Sequence, residues 1–480
     1  MRFRMRRVTP GVVFLMALLL TIAIACGPSA EQSPATNATE PTAPPEAPLA
    51  AAADSAATVE AQAAEQPAAT EPAMDSKASE SGGTSGEQPT AVSEQPAPAD
   101  PTATTGSARP AAVTVPISTE IPTIEGIDAW LNTEAELQIG ELAAEGKVVL
   151  VDFWTYTCIN CIRTLPYLRD WWAQYEDDGL VILGIHTPEF EFEKDYQNVA
   201  DAIDTHSVGW PVAQDNRMTT WRNFENRYWP AKYLYNVRGE LIYSHFGEGA
   251  YGETEQRIRN ALVEAGADLS DDPFNVPQDQ ARDQAFQAAR QSGQGVVTPE
   301  LYAGWHRNFL TARAGRPPYV AQPEYFEAIE ISSDESTAII DVTAPDVSNP
   351  SNLQPHAMYF QGQWSVEPER IRHARATENL EDYLALKYSS KSINAVLTSD
   401  SGEPYRVYLT VDGAMMTPEN AGADVQWDEN GTSYILVDVP RMYALVDNPQ
   451  YLSDSILVMG SNSDDFGLFA FTFGVYAEGP

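Results

Sequence analysis

The chain has 480 residues, a formal net charge of −39 and three cysteines. This length predicts roughly two to four domains at about 150 residues each. So strong a negative charge argues against nucleic acid or an anionic lipid surface as a direct partner.

The first 26 residues have the pattern of a secretion signal. Four arginines lie within residues 2–7, and an apolar run covers residues 11–25. That run is shorter than the ~20 residues that a membrane-spanning helix needs. Small residues precede Cys26, and the segment resembles a bacterial lipoprotein signal, in which this cysteine becomes the lipidated N-terminus. We therefore expect an extracytoplasmic protein anchored to the membrane as a lipoprotein; an ordinary signal peptide with an idle cysteine is the alternative.

Residues 27–116 consist almost entirely of Ala, Pro, Thr, Glu, Ser and Gln. Such a segment lacks the apolar side chains that would offset the entropy lost on ordering. We expect a disordered tether that gives the following domains reach from the membrane.

Residues 117–266 alternate strand and helix patterns and predict an α/β domain. The run "KVVLVDFW" predicts a central parallel strand covered on both faces, and "LVILGIHT" predicts a second buried strand. Apolar residues at helical spacing between them, over residues 162–175, complete a βαβ unit. Helices are further expected over residues 194–206 and 218–226, with a short strand at 211–214. "AKYLYNV" and "ELIYSHF" predict a hairpin, and "ETEQRIRNALVEAG" a closing helix that ends before Gly266.

Residues 267–297 are expected to connect this domain to an all-β domain over residues 298–480. The connecting segment contains a candidate helix at residues 278–291. The later segments alternate or are rich in β-formers, and turn residues separate several of them: "YFEAIEIS", "STAIIDVT", "AMYFQGQWSVE", "YRVYLTVDG", "TSYILVDVP", "DSILVMG" and "FGLFAFTFGVY". This pattern predicts an antiparallel, jelly-roll-like β-sandwich.

The stretch "VDFWTYTCINCIRTLP" contains a C-x-x-C pair where the strand pattern meets the helix pattern. At a helix N-terminus, unpaired backbone N–H groups favour a thiolate on Cys158. Cys161 lies nearly one turn along, within reach of a mixed disulfide on Cys158. A zinc site would need four ligands, and a structural disulfide here would close too short a loop to add much stability. Redox chemistry is the favoured interpretation, with no metal and no cofactor.

The stretch "VVLVDFWTYTCINCIRTLP" resembles the active site of thioredoxin-fold proteins, and more closely that of the TlpA-like extracytoplasmic group. "FWTYTCINC" is similar to the soluble C-terminal region of DipZ proteins, and "PRMYALVD" and "FAFTFGVYAEG" resemble the β-sandwich that follows thioredoxin there. The resemblance implies a thioredoxin-like fold, thiol–disulfide oxidoreductase activity on protein disulfides, and a carbohydrate-binding-module-like C-terminal domain.

The resemblance also assigns roles to residues. It makes Asp152 the buried acid that relays protons to and from Cys161, and it places a second acid, Glu189, near the cysteines. It makes Trp229–Pro230 a cis peptide in a loop that docks substrate. Trp154 is expected in the same substrate-binding surface. Pro166 matches the proline of the active-site helix and is assigned to the scaffold.

Two departures from the family matter for function. Ile159 and Asn160 replace Gly-Pro between the cysteines, so the redox potential of thioredoxin does not transfer. The CcdA-like membrane domain of DipZ proteins has no counterpart in this sequence, so the resemblance implies a separate CcdA-like electron donor.

The expected reaction is reduction of protein disulfides, as in cytochrome c maturation. An oxidase or isomerase of secreted proteins would use the same cysteines in reverse. A surface glycan-binding protein, with the thioredoxin fold as a spacer, is the alternative of another class. In that case Trp305, Trp364 or Trp427 would stack on sugar rings of a polysaccharide, although tryptophans in such strands more often pack in the core.

Overall fold

The computed structural model describes residues 120–274, 297–308, 318–331 and 337–474. The expected signal segment, the tether and the candidate helix at residues 278–291 lie outside these ranges. Among the residues described, no helix is both long and apolar enough to cross a membrane.

A six-stranded mixed sheet forms the first part of the fold. Its strands are β1 (Ala129–Leu131), β2 (Val148–Trp154), β3 (Leu180–His186), β4 (Val212–Gln214), β5 (Ala231–Tyr235) and β6 (Leu241–Phe246), in the order β1-β4-β3-β2-β5-β6. β2 runs parallel to β3 and antiparallel to β5, and the β5–β6 hairpin closes one edge. Every residue of β2 is buried, as expected of a continuous apolar run in the centre of a sheet.

Helices cover both faces of this sheet. They are α1 (Ile139–Ala144), α2 (Ile159–Tyr175), α3 (Tyr196–Thr205), α4 (Thr219–Asn223) and α5 (Tyr251–Ala265), with a 3-10 helix at Glu191–Lys194. One core lies under α2, α3 and α5, and a second lies under α1 and α4. The predicted helix at residues 194–206 corresponds to α3, which begins at Tyr196 because the Asp195 carboxylate accepts the backbone N–H groups of Gln197 and Asn198.

An all-antiparallel β domain forms the second part. Its strands are β7 (Leu301–Tyr302), β8 (Ala338–Val342), β9 (Ala357–Val366), β10 (Ile371–His373), β11 (Tyr383–Thr398), β12 (Tyr405–Val411), β13 (Ala414–Met415), β14 (Val425–Trp427), β15 (Ser433–Val437), β16 (Arg441–Gly460) and β17 (Gly467–Gly474). They connect in the order β14-β15-β12-β16-β11-β17-β10-β9-β8, with β13 on β12 and β7 on β17. A thioredoxin-like fold followed by an all-β domain is therefore confirmed.

The long strand β11 wraps the β domain around its core. Residues 383–387 pair with β9, whereas residues 392–398 pair with β17, and the register shifts between these halves. Since β10 joins β9 to β17, these four strands form a closed ring of hydrogen-bonded neighbours. The sequence did not predict β11, because its middle, "KYSSKS", is polar.

Residues 325–331 of the segment "YFEAIEIS", expected to be a strand, instead belong to helix α6 (Pro323–Ile331). Tyr325 and Ala328, three positions apart, pack into the core of the β domain, while Glu324 and Glu327 stay exposed. Three-residue spacing of buried side chains fits a helix. Pro323 is compatible with the first helical position, because the backbone N–H that proline lacks would have no partner within the helix there.

The chain around the 3-10 helix joins the two parts of the fold. Phe190 and Phe192 pack edge-to-face against Phe469 of β17, with ring centroids 5.0 and 4.9 Å apart. Beside them, Glu189 accepts hydrogen bonds of 2.8 Å from Tyr302 and from Arg307. Aromatic packing and this ion pair hold the β domain against the thioredoxin-like domain next to the cysteine loop.

Candidate active site

The two cysteines lie where β2 leads into α2. Cys158 is the N-cap of α2, and its Sγ accepts the backbone N–H of Cys161 at 3.3 Å. Cys158 is partly exposed, Cys161 is fully buried, and both are free thiols. An N–H group from the first helical turn that points at the Cys158 sulfur favours negative charge there.

The environment of Cys161 is different. Burial raises the pKa of its thiol well above the ordinary value, and the neighbouring Cys158 and Asp152 raise it further. Cys161 therefore holds its proton while Cys158 is accessible. This asymmetry suits an attacking thiol at Cys158 and a resolving thiol at Cys161.

Beneath the cysteines lies a buried ion pair, of which the sequence predicted only the acid, Asp152. Asp152 and Lys232 face each other across β2 and β5, with Oδ1 and Nζ 3.3 Å apart and both side chains almost completely buried. Burial raises the pKa of the Asp152 carboxyl, and Lys232 lowers it in part. Lys232 could have been predicted as the partner, because a lysine within the apolar strand "AKYLY" is rarely buried unless it is paired.

Glu193 is the acid that contacts the cysteine loop. Its carboxylate is fully buried and accepts hydrogen bonds from the hydroxyl of Thr157, next to Cys158, and from the backbone N–H of Phe190. Burial raises the pKa of Glu193 to about 7, and the Thr157 hydrogen bond opposes that shift. Glu189, the acid chosen from the sequence, instead lies against Arg307 and Tyr302 of the β domain.

The Trp229–Pro230 peptide is cis, as the resemblance implied. Trp229 is half-buried; its indole N–H donates to the backbone carbonyl of Thr187 at 3.0 Å, and its ring lies 4.2 Å from that of Trp221. This fixes the loop before β5. Trp154, expected in the substrate-binding surface, is fully buried and packs edge-on against His186, so it presents no surface to a substrate.

The described ranges contain no group of three or more His, Cys, Asp or Glu side chains that could hold a metal ion. Of the three tryptophans considered for sugar stacking, Trp364 is buried in the β core and Trp305 packs against it. Trp427 is 38% exposed, and its indole N–H donates to the Met416 carbonyl.

Comparison with known proteins agrees with this geometry. Residues 119–244 match the AhpC/TSA family, and residues 325–474 match the family described as thioredoxin like C-terminal domain. The protein DipZ of Mycobacterium bovis is 32% identical over 277 residues, which are 58% of this chain and 34% of DipZ. The chain thus matches about a third of that relative's length.

Shorter relatives match the thioredoxin-like domain. The thiol-disulfide oxidoreductase YkuV of Bacillus subtilis is 29% identical over 146 residues, 30% of this chain and 95% of YkuV. The solution structure of a thioredoxin-like protein in the oxidized form is 27% identical and covers 30% of this chain and 95% of that one, with a TM-score of 0.28. The chain is thus similar to a thiol-disulfide oxidoreductase over its thioredoxin-like domain and to the thioredoxin like C-terminal domain family over residues 325–474.

Proposed function

We propose that this chain, a relative of DipZ and of the thioredoxin-like oxidoreductases, is an extracytoplasmic thiol–disulfide oxidoreductase that reduces disulfides in proteins. The observation that carries the proposal is the unequal pair of thiols at the start of α2. Cys158 is accessible and accepts an N–H of the helix terminus, while Cys161 is buried one turn further on.

The reaction proceeds in two exchanges. The Cys158 thiolate attacks one sulfur of the substrate disulfide, forming a mixed disulfide and releasing the other substrate sulfur as a thiolate. Cys161 then loses its proton and attacks the Cys158 sulfur, which forms the Cys158–Cys161 disulfide and releases the second substrate thiolate. Two electrons pass to the substrate, and the protons of the two cysteine thiols end on the two substrate thiols.

Asp152 is the group assigned to the proton of Cys161. It lies beneath the thiol, close enough for its charge to raise the pKa of Cys161. A buried carboxyl whose pKa is raised can accept a proton near neutral pH. In this proposal, the positive charge of Lys232 favours the ionised form of Asp152, which is the form that can accept the proton. The Trp229–Pro230 loop docks the substrate backbone.

The wider setting belongs to the same proposal. The signal-like N-terminus with Cys26 would place the protein outside the cytoplasm as a lipid-anchored enzyme, and the tether would give it reach. The similarity to DipZ favours electron supply from a CcdA-like membrane protein and a reductive role such as cytochrome c maturation. Oxidative folding is the competing direction, since the same two exchanges run in reverse.

The equilibrium potential of the Cys158–Cys161 couple tests the proposal. The full chain is titrated in defined thiol buffers and read by alkylation, with Cys158→Ser as the control that cannot form the disulfide. A potential near that of thioredoxin, about −270 mV, supports a reductase, and one near about −120 mV would make the chain an oxidant. A pair that never interconverts reversibly would refute the oxidoreductase proposal altogether.

A further inference from the structure

Beside the cysteine loop lies a cleft between the thioredoxin-like domain and the β domain. Its volume is about 440 Å³, within the range of about 300–1,000 Å³ typical of ligand sites. Its apolar lining includes Tyr156, Ile159 and Ala202 on one wall and Pro440, Met442 and Val446 on the other. We name it the interdomain cleft.

The cleft is lined by residues on both sides of the attacking cysteine in the chain, although Cys158 itself is not among its lining residues. Tyr156 and Ile159, which line it, lie two residues before Cys158 and one residue after it. A protein disulfide that reaches the Cys158 sulfur brings polypeptide on both sides of its own cysteine. One of those segments would lie over Ile159 and enter the cleft.

Charge at the cleft indicates which segment fits. Its two arginines are already compensated, since Arg441 pairs with Asp424 at 2.9 Å and Arg163 lies 3.7 Å from Glu248. The exposed carboxylates of Asp201 and Asp447 have no ion pair in the described part of the chain. The charged lining side chains that lack an ion pair are therefore both negative, as is the net charge of the whole chain.

We infer that the interdomain cleft binds the polypeptide segment next to the disulfide of a protein substrate, and that it favours a segment with a bulky apolar side chain and a lysine or arginine. This inference rests on the proposed function. It makes the β domain one wall of the substrate site, held there by Phe469 and by the Glu189–Arg307 pair. Specificity for protein over small disulfides would then come from residues far from the cysteines in sequence.

The test compares two disulfide substrates of the reduced full chain in single-turnover kinetics. One is a synthetic peptide disulfide with Leu and Lys beside its cysteine, and the other is hydroxyethyl disulfide, which is too small to fill the cleft. Ala423→Trp places bulk at the cleft, and Ala414→Trp is the matched control, since both alanines are exposed on the β domain.

Ala423→Trp is expected to lower the peptide rate constant about tenfold, the scale of the minority of interface positions that matter most for binding, and to leave the rate with hydroxyethyl disulfide unchanged. Ala414→Trp should change neither. Equal peptide rates for the two variants would overturn the inference, as would a parallel loss with both substrates. If the unmodified chain fails to reduce hydroxyethyl disulfide, the proposed function fails instead.

Charge reversal provides an independent measurement. Asp447→Lys should lower the rate with the lysine peptide and raise it with a glutamate peptide by about two- to fivefold, the scale of solvent-exposed charge pairs. The peptide preference should weaken with added salt. An unchanged preference would refute the assigned substrate chemistry.

Discussion

Replacing Lys232 with methionine would leave the buried Asp152 carboxylate without its partner. The two charged atoms are 3.3 Å apart, and at an effective dielectric constant of about 20 this separation gives an attraction of about 5 kcal/mol. Removing one member of a buried pair typically costs about 3–5 kcal/mol. We therefore expect Lys232→Met to lower the free energy of unfolding by about 3–5 kcal/mol at pH 8.

The loss should depend on pH in a definite direction. The folded-state pKa of Asp152 is already raised by burial, and without Lys232 it rises further. The folded state then binds a proton that the unfolded state has released, so its stability falls as pH rises above the unfolded value of about 3.9. Below that pH, Asp152 is protonated in both states, and its contribution to the loss disappears.

Urea unfolding at several pH values between 4 and 8 measures this dependence. Lys194→Met is the matched control, because Lys194 forms an exposed pair with Glu191 and such pairs contribute about 0–1 kcal/mol. The double variant Asp152→Asn/Lys232→Met should regain most of the lost stability, since it leaves no buried charge. An equal loss at pH 4 and pH 8, or additive losses in the double variant, would refute this reasoning.

Three further predictions concern the acid, the thiols and the domain contact. The pKa of Glu193 is raised to about 7, so the free energy of unfolding should fall between about pH 5 and pH 7 by up to about 1.4 kcal/mol per pH unit. Glu193→Gln should remove that pH dependence in urea titrations, and a retained dependence would contradict the assignment. Cys161→Ser should accumulate a covalent adduct with a peptide disulfide on non-reducing gels, whereas an adduct with Cys158→Ser would reverse the assigned roles. Phe469→Ala should lower stability by about 3–5 kcal/mol, compared with little change for the exposed control Val439→Ala; equal losses would show that the aromatic contact does not stabilise the fold.

The features that could be predicted from sequence are those in which local pattern and local structure coincide. The apolar run of β2 and the spacing of Cys158 and Cys161 specify a strand, a turn and a helix N-terminus within a dozen residues. The cis peptide before Pro230 followed from the resemblance of a short motif. In each case the residues that matter are neighbours in the chain.

What the sequence did not predict depends on contacts between distant segments. Glu189 and Glu193 both follow β3. Glu189 pairs with Arg307 and Glu193 contacts Thr157, and this difference arises from the packing of the β domain, which the local sequence does not reveal. Lys232 owes its role to the register between β2 and β5. The interdomain cleft has two walls contributed by residues 156–206 and 392–447, segments more than 180 residues apart.

The five residues from Glu189 to Glu193 connect the β domain to the cysteine loop. Glu189 is held by Arg307 of the β domain, and Glu193 holds Thr157 beside the attacking cysteine. The turn between them is closed by a 3.2 Å hydrogen bond from the Glu193 N–H to the Phe190 carbonyl. A movement of the β domain that displaces Glu189 is therefore expected to shift the loop that carries Cys158, so that a ligand bound to the β domain would change the reactivity of the Cys158 thiol.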